Sequence, residues 1–194
     1  MIAIIDYKAG NVTSITNVLD DFGVEYKITK KEIDITKADK IILPGVGEAS
    51  FVMRKMALYN LVNLLRIMKK PTLGICLGMQ ILCGSTEERD TKGLGIFPEH
   101  CKMFDKEKVK VPQMGWNSVN LDTKSDLFKG LDETGEFYFA NSFYVPESQY
   151  TIANAEYDVK FSAAIQKENF YGIQFHPEKS GEPGIQILKN FIEL

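Results

Sequence analysis

Hydrophobic and polar residues follow one pattern in the first half of this chain and another in the second. The first half alternates short apolar runs, typical of buried strands, with segments of helical spacing. The apolar runs lie at residues 2–6, 26–29, 40–43 and immediately before Cys76. Alternation of this kind predicts a parallel sheet with helices on both faces.

From about residue 96 the pattern changes to short strand-like segments, which favour antiparallel pairing. These segments lie at residues 101–104, 108–111, 136–139, 151–157, 161–166 and 170–175. Pro183 is expected to open a final helix with Ile185, Leu188 and Ile192 on its apolar face. We therefore expect one α/β domain over residues 1–194, with a mixed, mostly parallel central sheet, helices on both faces and an antiparallel extension.

One cysteine stands where a strand should end and a helix begin. Gly74-Ile75-Cys76-Leu77-Gly78 has the spacing of a nucleophile elbow, in which glycines are needed because the backbone is crowded. A helix from about Leu77 to Cys83 would point its N-terminus at the sulfur and lower the thiol pKa. The alternative interpretation is a cysteine that only packs at the end of a strand.

A histidine and a glutamate near the C-terminal end supply the partners that such a cysteine needs. His176 and Glu178 are two residues apart, so an extended backbone would place both side chains on one side. A carboxylate in that position can hold the imidazole in one tautomer and stabilise its protonated form. Cys76, His176 and Glu178 are therefore predicted to be nucleophile, base and orienting acid. His-Pro-Glu by itself is also a common turn sequence.

A glycine-rich loop follows the third predicted strand, at the same edge of the sheet. In Pro44-Gly45-Val46-Gly47 the flanking glycines allow the Val46 peptide to turn its N–H toward the crevice. Together with the N–H of Leu77, this group would form a two-donor oxyanion hole. A tight turn without a catalytic role is the alternative.

Composition narrows the classes of function and the compartment. The chain has 194 residues, 44% hydrophobic and 25% charged, with net charge −3, which gives no electrostatic support for binding nucleic acid. Three cysteines without a C-x-x-C pair favour a reducing cytoplasm, and no signal peptide or membrane-spanning run is expected. The two histidines lack clustered partners, so neither a metal nor a cofactor is predicted.

With these motifs in place, the chain resembles the class I (triad) glutamine amidotransferases. Within them it is most similar to the glutaminase subunits of imidazole glycerol phosphate synthases, and the resemblance covers essentially the whole chain. The segments that carry it are residues 6–11, 43–47, 74–80, Met114-Gly115-Trp116-Asn117 and residues 174–181. Related glutaminases of anthranilate and carbamoyl phosphate synthases usually have His where Met79 stands, and they lack the Met-Gly-Trp-Asn segment.

The resemblance implies hydrolysis of L-glutamine to glutamate and ammonia through a γ-glutamyl thioester on Cys76. Glutamine would be bound at Gly45, Gly47, Gln80 and the backbone around Ser142 and Phe143. The ammonia would pass to a (β/α)8-barrel synthase subunit that makes imidazole glycerol phosphate and AICAR in histidine biosynthesis. The heterodimer interface would include Trp116, Asn117, Tyr138 and Lys179. Simple core packing of Trp116 and Tyr138, and an ordinary solvated Lys179, are the alternatives.

Two positions depart from the family pattern. The family usually has histidines where this chain has Gln113 and Asn141, and both changes replace a titratable ring with a neutral amide. The triad is unaffected, but the identity of the ammonia-accepting synthase stays open. A paralogous glutaminase feeding a sugar-amidinating enzyme is one alternative, and a flavodoxin-like cysteine peptidase is another.

Overall fold

The computed structural model describes residues 1–8, 12–45 and 47–194. Its central feature is a parallel sheet whose strands lie in the order β2-β1-β3-β4-β13. Strands β1, β4 and β13 are buried at every position, as their apolar sequences predict. The five strands are β1 (Ile2–Ile5), β2 (Tyr26–Thr29), β3 (Lys40–Leu43), β4 (Thr72–Ile75) and β13 (Phe170–Ile173).

Helices cover both faces of this sheet, which confirms the predicted α/β class. The helices are α1 (Thr13–Asp21), α2 (Glu32–Lys37), α3 (Ala49–Leu58), α4 (Leu61–Arg66), α5 (Leu77–Leu82) and α6 (Gly181–Glu193). Ile15 of α1 and Phe191 of α6 pack with Ile4 in one core layer. Helices α2 to α5 bury their apolar side chains in a second layer, which contains Ala3 and Ile5 from the opposite face of the same strand.

The second half of the chain extends the sheet in mainly antiparallel fashion, again as predicted. From β13 the sheet continues through β12, β10, β7, β5 and β6, and a branch runs from β12 through β11 and β8 to β9. These strands are β5 (Ser85–Thr86), β6 (Thr91–Lys92), β7 (His100–Met103), β8 (Gln113–Leu121), β9 (Thr134–Asn141), β10 (Phe143–Pro146), β11 (Thr151–Tyr157) and β12 (Val159–Lys167).

Several local predictions were wrong or incomplete. Residues 108–111 are not a strand, because the N–H groups of Lys108 and Val109 both bond the Asp105 carbonyl and close a turn. Strands β8 and β10 and helix α2 were not predicted. Ile185 was expected on the apolar face of α6 but is 41% exposed, and Ile187 is buried instead. Within the described ranges, no helix is long and apolar enough to cross a membrane.

Candidate active site

Cys76 lies at a sharp turn between β4 and α5, where the backbone adopts a left-handed φ of 51°. The glycines on either side are needed for close approach. A Cβ on Gly74 would stand 2.5 Å from the Gly78 carbonyl, and one on Gly78 would stand 2.1 Å from the Leu43 carbonyl oxygen. The strand–turn–helix geometry predicted for a nucleophile elbow is therefore confirmed, and helix α5 begins at Leu77.

Neighbouring parallel strands bring His176 to this turn. Strand β13 pairs with β4 so that Ile173 lies opposite Ile75, and the Cys76 N–H donates to the Ile173 carbonyl at 2.7 Å. The chain therefore leaves both strands at the same edge of the sheet. The His176 N–H then donates to the Tyr138 carbonyl at 2.8 Å, which attaches this segment to β9.

Glu178 orients the imidazole of His176 in a nearly dry environment. The Nδ1 atom of His176 lies 2.8 Å from Oε1 of Glu178, and their side chains are only 4% and 7% exposed. Burial alone would lower the pKa of His176, but hydrogen bonds to Cys76 and Glu178 and the charges of both partners raise the pKa to about 10. With Nδ1 bonded to the carboxylate, Nε2 is left for proton exchange with the thiol.

A cavity of about 230 Å³ opens beside the sulfur, small enough to suit an amino-acid-sized molecule. It brings together nearly all of the residues predicted to act on glutamine. Its lining consists of Gly45, Gly47, Cys76, Leu77, Gln80, Glu88, Ala140, Asn141, Ser142, Phe143, His176 and Lys179. The Gln80 side chain donates from Nε2 to the Phe143 carbonyl at 3.0 Å, which links two of the predicted binding residues directly.

The loop after β3 lies directly on the elbow. A Cβ on Gly45 would stand 2.8 Å from the Leu77 nitrogen, and Gly47 has a φ of 119°, which favours glycine. The buried Tyr7 hydroxyl donates to the Pro44 carbonyl and holds the start of the loop. Val46, predicted as an oxyanion donor, lies outside the described residues. Leu77 is the first residue of α5, so its N–H has no partner within the helix.

Glu88 is a cavity residue that the sequence did not reveal. It sits in a 3₁₀ turn between β5 and β6, and its Oε2 accepts the Ala49 N–H of α3 at 2.7 Å. Burial raises the pKa of this carboxyl above its ordinary value, while the Ala49 hydrogen bond opposes the rise. In sequence Glu88 belongs to the charged run Glu87-Glu88-Arg89-Asp90, which is typical of an exposed loop.

An exposed aromatic surface adjoins the cavity. Trp116 is 57% exposed and meets Tyr138 edge-on at 6.2 Å between ring centroids. Lys179 places Nζ 5.7 Å from the centre of the Tyr138 ring and also lines the cavity. Asn117 does not join this surface, because it lies on the other side of β8 and donates to the Glu156 carbonyl.

The two amides that replace family histidines are neighbours. Gln113 and Asn141 face each other across β8 and β9, and both are buried. Asn141 lines the cavity and donates to the Phe143 carbonyl at 3.0 Å. Within the described chain, Gln113 Oε1 and Asn141 Oδ1 are both buried without a hydrogen-bond partner.

Comparison with known proteins agrees with this arrangement. The family model described as glutamine amidotransferase class-I matches residues 3–194. The chain is 46% identical to "Imidazole glycerol phosphate synthase subunit HisH" of Bacteroides fragilis and 44% identical to the protein of that name from Bacteroides thetaiotaomicron. Each match covers 100% of this chain and 99% of the relative. A solved structure of a glutamine amidotransferase superposes with a TM-score of 0.77 at 15% identity, covering 100% of this chain and 98% of that one.

Proposed function

Because this chain belongs to the class-I glutamine amidotransferases, we propose that it is the glutaminase subunit of an imidazole glycerol phosphate synthase. It hydrolyses L-glutamine and delivers ammonia to a synthase subunit that makes imidazole glycerol phosphate and AICAR in histidine biosynthesis. The observation that carries the proposal is the triad: Cys76 and His176 line one small cavity, and Glu178 contacts His176 from behind. The full-length relatives named as synthase subunits support the choice of partner. Residues 1–194 act as one glutaminase domain.

The reaction begins with attack of the Cys76 thiolate on the side-chain amide carbon of glutamine. His176 has accepted the thiol proton, and Glu178 stabilises the resulting imidazolium across the 2.8 Å contact. Collapse of the tetrahedral intermediate breaks the C–N bond, and His176 donates its proton to the leaving ammonia. Water then attacks the γ-glutamyl thioester with His176 as base, which releases glutamate and restores the thiol.

The developing oxyanion is stabilised by backbone N–H groups at the elbow. Leu77 supplies one donor from the first turn of α5, and the Val46 peptide supplies the second when it faces the cavity. Gly45 is required there because a Cβ would stand 1.6 Å from the Ile75 carbonyl oxygen, and the φ of 119° at Gly47 favours glycine. Docking of the partner favours the competent orientation through its higher affinity for that form.

The amino acid end of glutamine lies at the opposite wall of the cavity. Gln80 uses its N–H groups on protein acceptors, so its Oε1 is available to the substrate ammonium. Glu88 adds a carboxylate at the same wall, and the backbone at Ser142 and Phe143 completes the site with Gly47. The substrate is therefore held by groups that recognise an ammonium and a carboxylate at one end.

The partner is a (β/α)8-barrel subunit, and the two chains form a heterodimer in the cytoplasm. Trp116, Tyr138 and Lys179 form its docking surface, with Asn117 behind them on β8. An exposed tryptophan packed on a tyrosine is typical of interface hot spots. Lys179 belongs both to this surface and to the cavity wall, so ammonia can leave toward the partner.

A second candidate partner follows from Gln113 and Asn141. Their buried amides stand where the family usually has histidines, close to both the cavity and the docking surface. A paralogous glutaminase that feeds a sugar-amidinating enzyme would keep the same triad and have different residues around it, as at these two positions. Identifying which synthase the purified chain binds separates the two.

The deciding experiment measures glutamate release by the chain alone, with the barrel subunit, and with the barrel subunit plus its nucleotide substrate. We expect a rise of at least about tenfold to a hundredfold in the full complex, within the roughly hundredfold to thousandfold that one oxyanion donor can supply. Cys76→Ala should abolish release in all three conditions. Equal wild-type rates of glutamate release in all three conditions would refute activation by the partner. Glutamate release by Cys76→Ala would refute the assignment of the triad.

A further inference from the structure

Gln174 is a fully buried polar side chain beside the nucleophile, and no step described above uses it. It follows β13 directly, and its backbone N–H donates to the Ala163 carbonyl at 2.8 Å. Its Nε2 lies 3.5 Å from the Cys76 sulfur, and its Oε1 accepts from Gln80 Nε2 at 2.9 Å. The side chain thus connects the wall of the substrate cavity to the sulfur.

The hydrogen-bond partners determine which way the Gln174 amide points. The Phe143 carbonyl can only accept, so the Gln80 atom that faces it at 3.0 Å must be the NH₂ group. The same NH₂ group faces Gln174, which must therefore turn its oxygen toward Gln80 and its own NH₂ toward the sulfur. The thiol proton has a different acceptor nearby, the Ala140 carbonyl at 3.8 Å from the sulfur.

We propose that Gln174 is a positioning residue of the glutaminase: its amide holds the Cys76 sulfur with an N–H donor and connects the sulfur to Gln80 in the cavity. An amide N–H directed at sulfur favours the thiolate over the thiol, because only the thiolate is a strong acceptor. A neutral donor does so without adding a second cation beside His176. The inference rests on the proposed function, since it takes Cys76 as the nucleophile.

The hydrogen bonds that run from Gln80 through Gln174 to the Cys76 sulfur form a relay. This relay also predicts a link between substrate binding and the nucleophile. Gln80 lines the cavity, and both of its N–H groups are committed to Phe143 and Gln174. Rotation of the Gln80 side chain would therefore carry Gln174 away from the sulfur. A ligand bound to Gln80 Oε1 opposes that rotation. Glutamine bound in the cavity should accordingly hold the sulfur in its reactive position.

The test is the pH dependence of Cys76 alkylation by iodoacetamide, which reads the thiolate without requiring glutamine turnover. The titratable groups around the sulfur are His176 with Glu178 behind it, Tyr7, and the cavity residues Glu88 and Lys179. A change at residue 174 leaves all of them in place. Cys83 and Cys101 are fully buried, so peptide mapping assigns the modification to Cys76.

Gln174→Met keeps the side-chain length but removes the N–H donor. We expect the midpoint of the alkylation profile to rise by about one pH unit and the rate at neutral pH to fall about tenfold. Gln174→Glu, which keeps an acceptor for Gln80 and brings a negative charge to the sulfur, should shift the profile further in the same direction. Gln166→Met is the matched control, since Gln166 bonds Ser125 and Tyr171 away from the cavity.

A Gln174→Met profile that superimposes on the wild-type profile would overturn the inference, even if turnover were lost. An equal shift in Gln166→Met would do the same. Should Gln174→Met fail to fold, Gln80→Met breaks the relay at its other end and must show an upward shift of the same sign. Absence of glutamate release from the wild-type complex would instead count against the proposed function, because the alkylation profile is read independently.

Discussion

The contact between His176 and Glu178 allows a quantitative prediction for Glu178→Gln. The change keeps the shape of the side chain and removes its charge from a 2.8 Å contact in which both partners are nearly buried. A charge-assisted hydrogen bond of this kind contributes about 1.5–3 kcal/mol. If that energy stabilises the imidazolium during attack, kcat should fall by roughly tenfold to a hundredfold.

The same change should move the titration of His176. Glu178 is one of the two partners that raise the pKa of His176 to about 10, so the variant pKa should fall by roughly one to two units. Because the folded-state pKa lies above the ordinary 6.5, the stability gained is fully present below about pH 6.5 and is lost as the pH rises through about 10. The difference in unfolding free energy between wild type and variant should therefore be widest near pH 6 and narrow toward pH 10.

Glutamate release by the synthase complex gives kcat, an NMR titration gives the pKa of His176, and urea unfolding at several pH values gives the stability difference. Glu182→Gln is the matched control, since Glu182 is exposed in the first turn of α6. An unchanged kcat together with an unchanged His176 titration would refute the role assigned to Glu178. A stability difference that widened toward pH 10 would refute the sign of the linkage.

Three further variants test other parts of the molecule. Gly78→Ala should lower the free energy of unfolding by about 1–3 kcal/mol, since a Cβ would stand 2.1 Å from the Leu43 carbonyl oxygen. Gln113→His combined with Asn141→His should leave glutamate release at neutral pH nearly unchanged. It should also add an ionisation below the ordinary histidine pKa of about 6.5, because both positions are buried. Trp116→Ala should weaken binding of the barrel subunit by about 2 kcal/mol, or roughly thirtyfold in Kd, measured by calorimetry.

Each of these variants has a contrary outcome, and two have a matched control. Gly84→Ala places its Cβ no closer than 3.1 Å to a neighbour and should cost less than Gly78→Ala; the reverse order would contradict the crowding at the elbow. Loss of partner binding in the double histidine variant would show that the amide pair is fitted to a different synthase. Leu58→Ala removes a similarly exposed apolar side chain from α3, and an equal loss of affinity there would remove Trp116 from the interface.

The sharp turn at Cys76 and the contact between His176 and Glu178 could be predicted because local sequence determines both. Glycines are required two residues before and two residues after Cys76, because a Cβ at either position would stand 2.5 Å or less from backbone atoms. This spacing can be recognised from the sequence alone. Glu178 is only two residues after His176, so a short turn is enough to bring the two side chains into contact. The buried runs of the parallel sheet were predictable for a similar reason, since strands covered on both faces are apolar throughout.

Other features depend on tertiary contacts that no local pattern shows. Strand β8 exposes about every second residue and contains glycine and two asparagines, so its conformation depends on pairing with β9 and β11. Glu88 reaches the cavity only because a 3₁₀ turn packs against the start of α3. Gln174 looks like a solvent-facing position in an alternating strand, yet it is fully buried because its amide bonds Gln80 and the Cys76 sulfur.

The most direct test of the central claim is to capture the covalent intermediate. The synthase complex is mixed with glutamine, quenched in acid within the first turnover, digested and mapped by mass spectrometry. Attack by the thiolate predicts one γ-glutamyl adduct, on the peptide that contains Cys76, with none in a Cys76→Ala complex and none on Cys83 or Cys101. An adduct on another residue, or continued glutamate release by the Cys76→Ala complex, would contradict it.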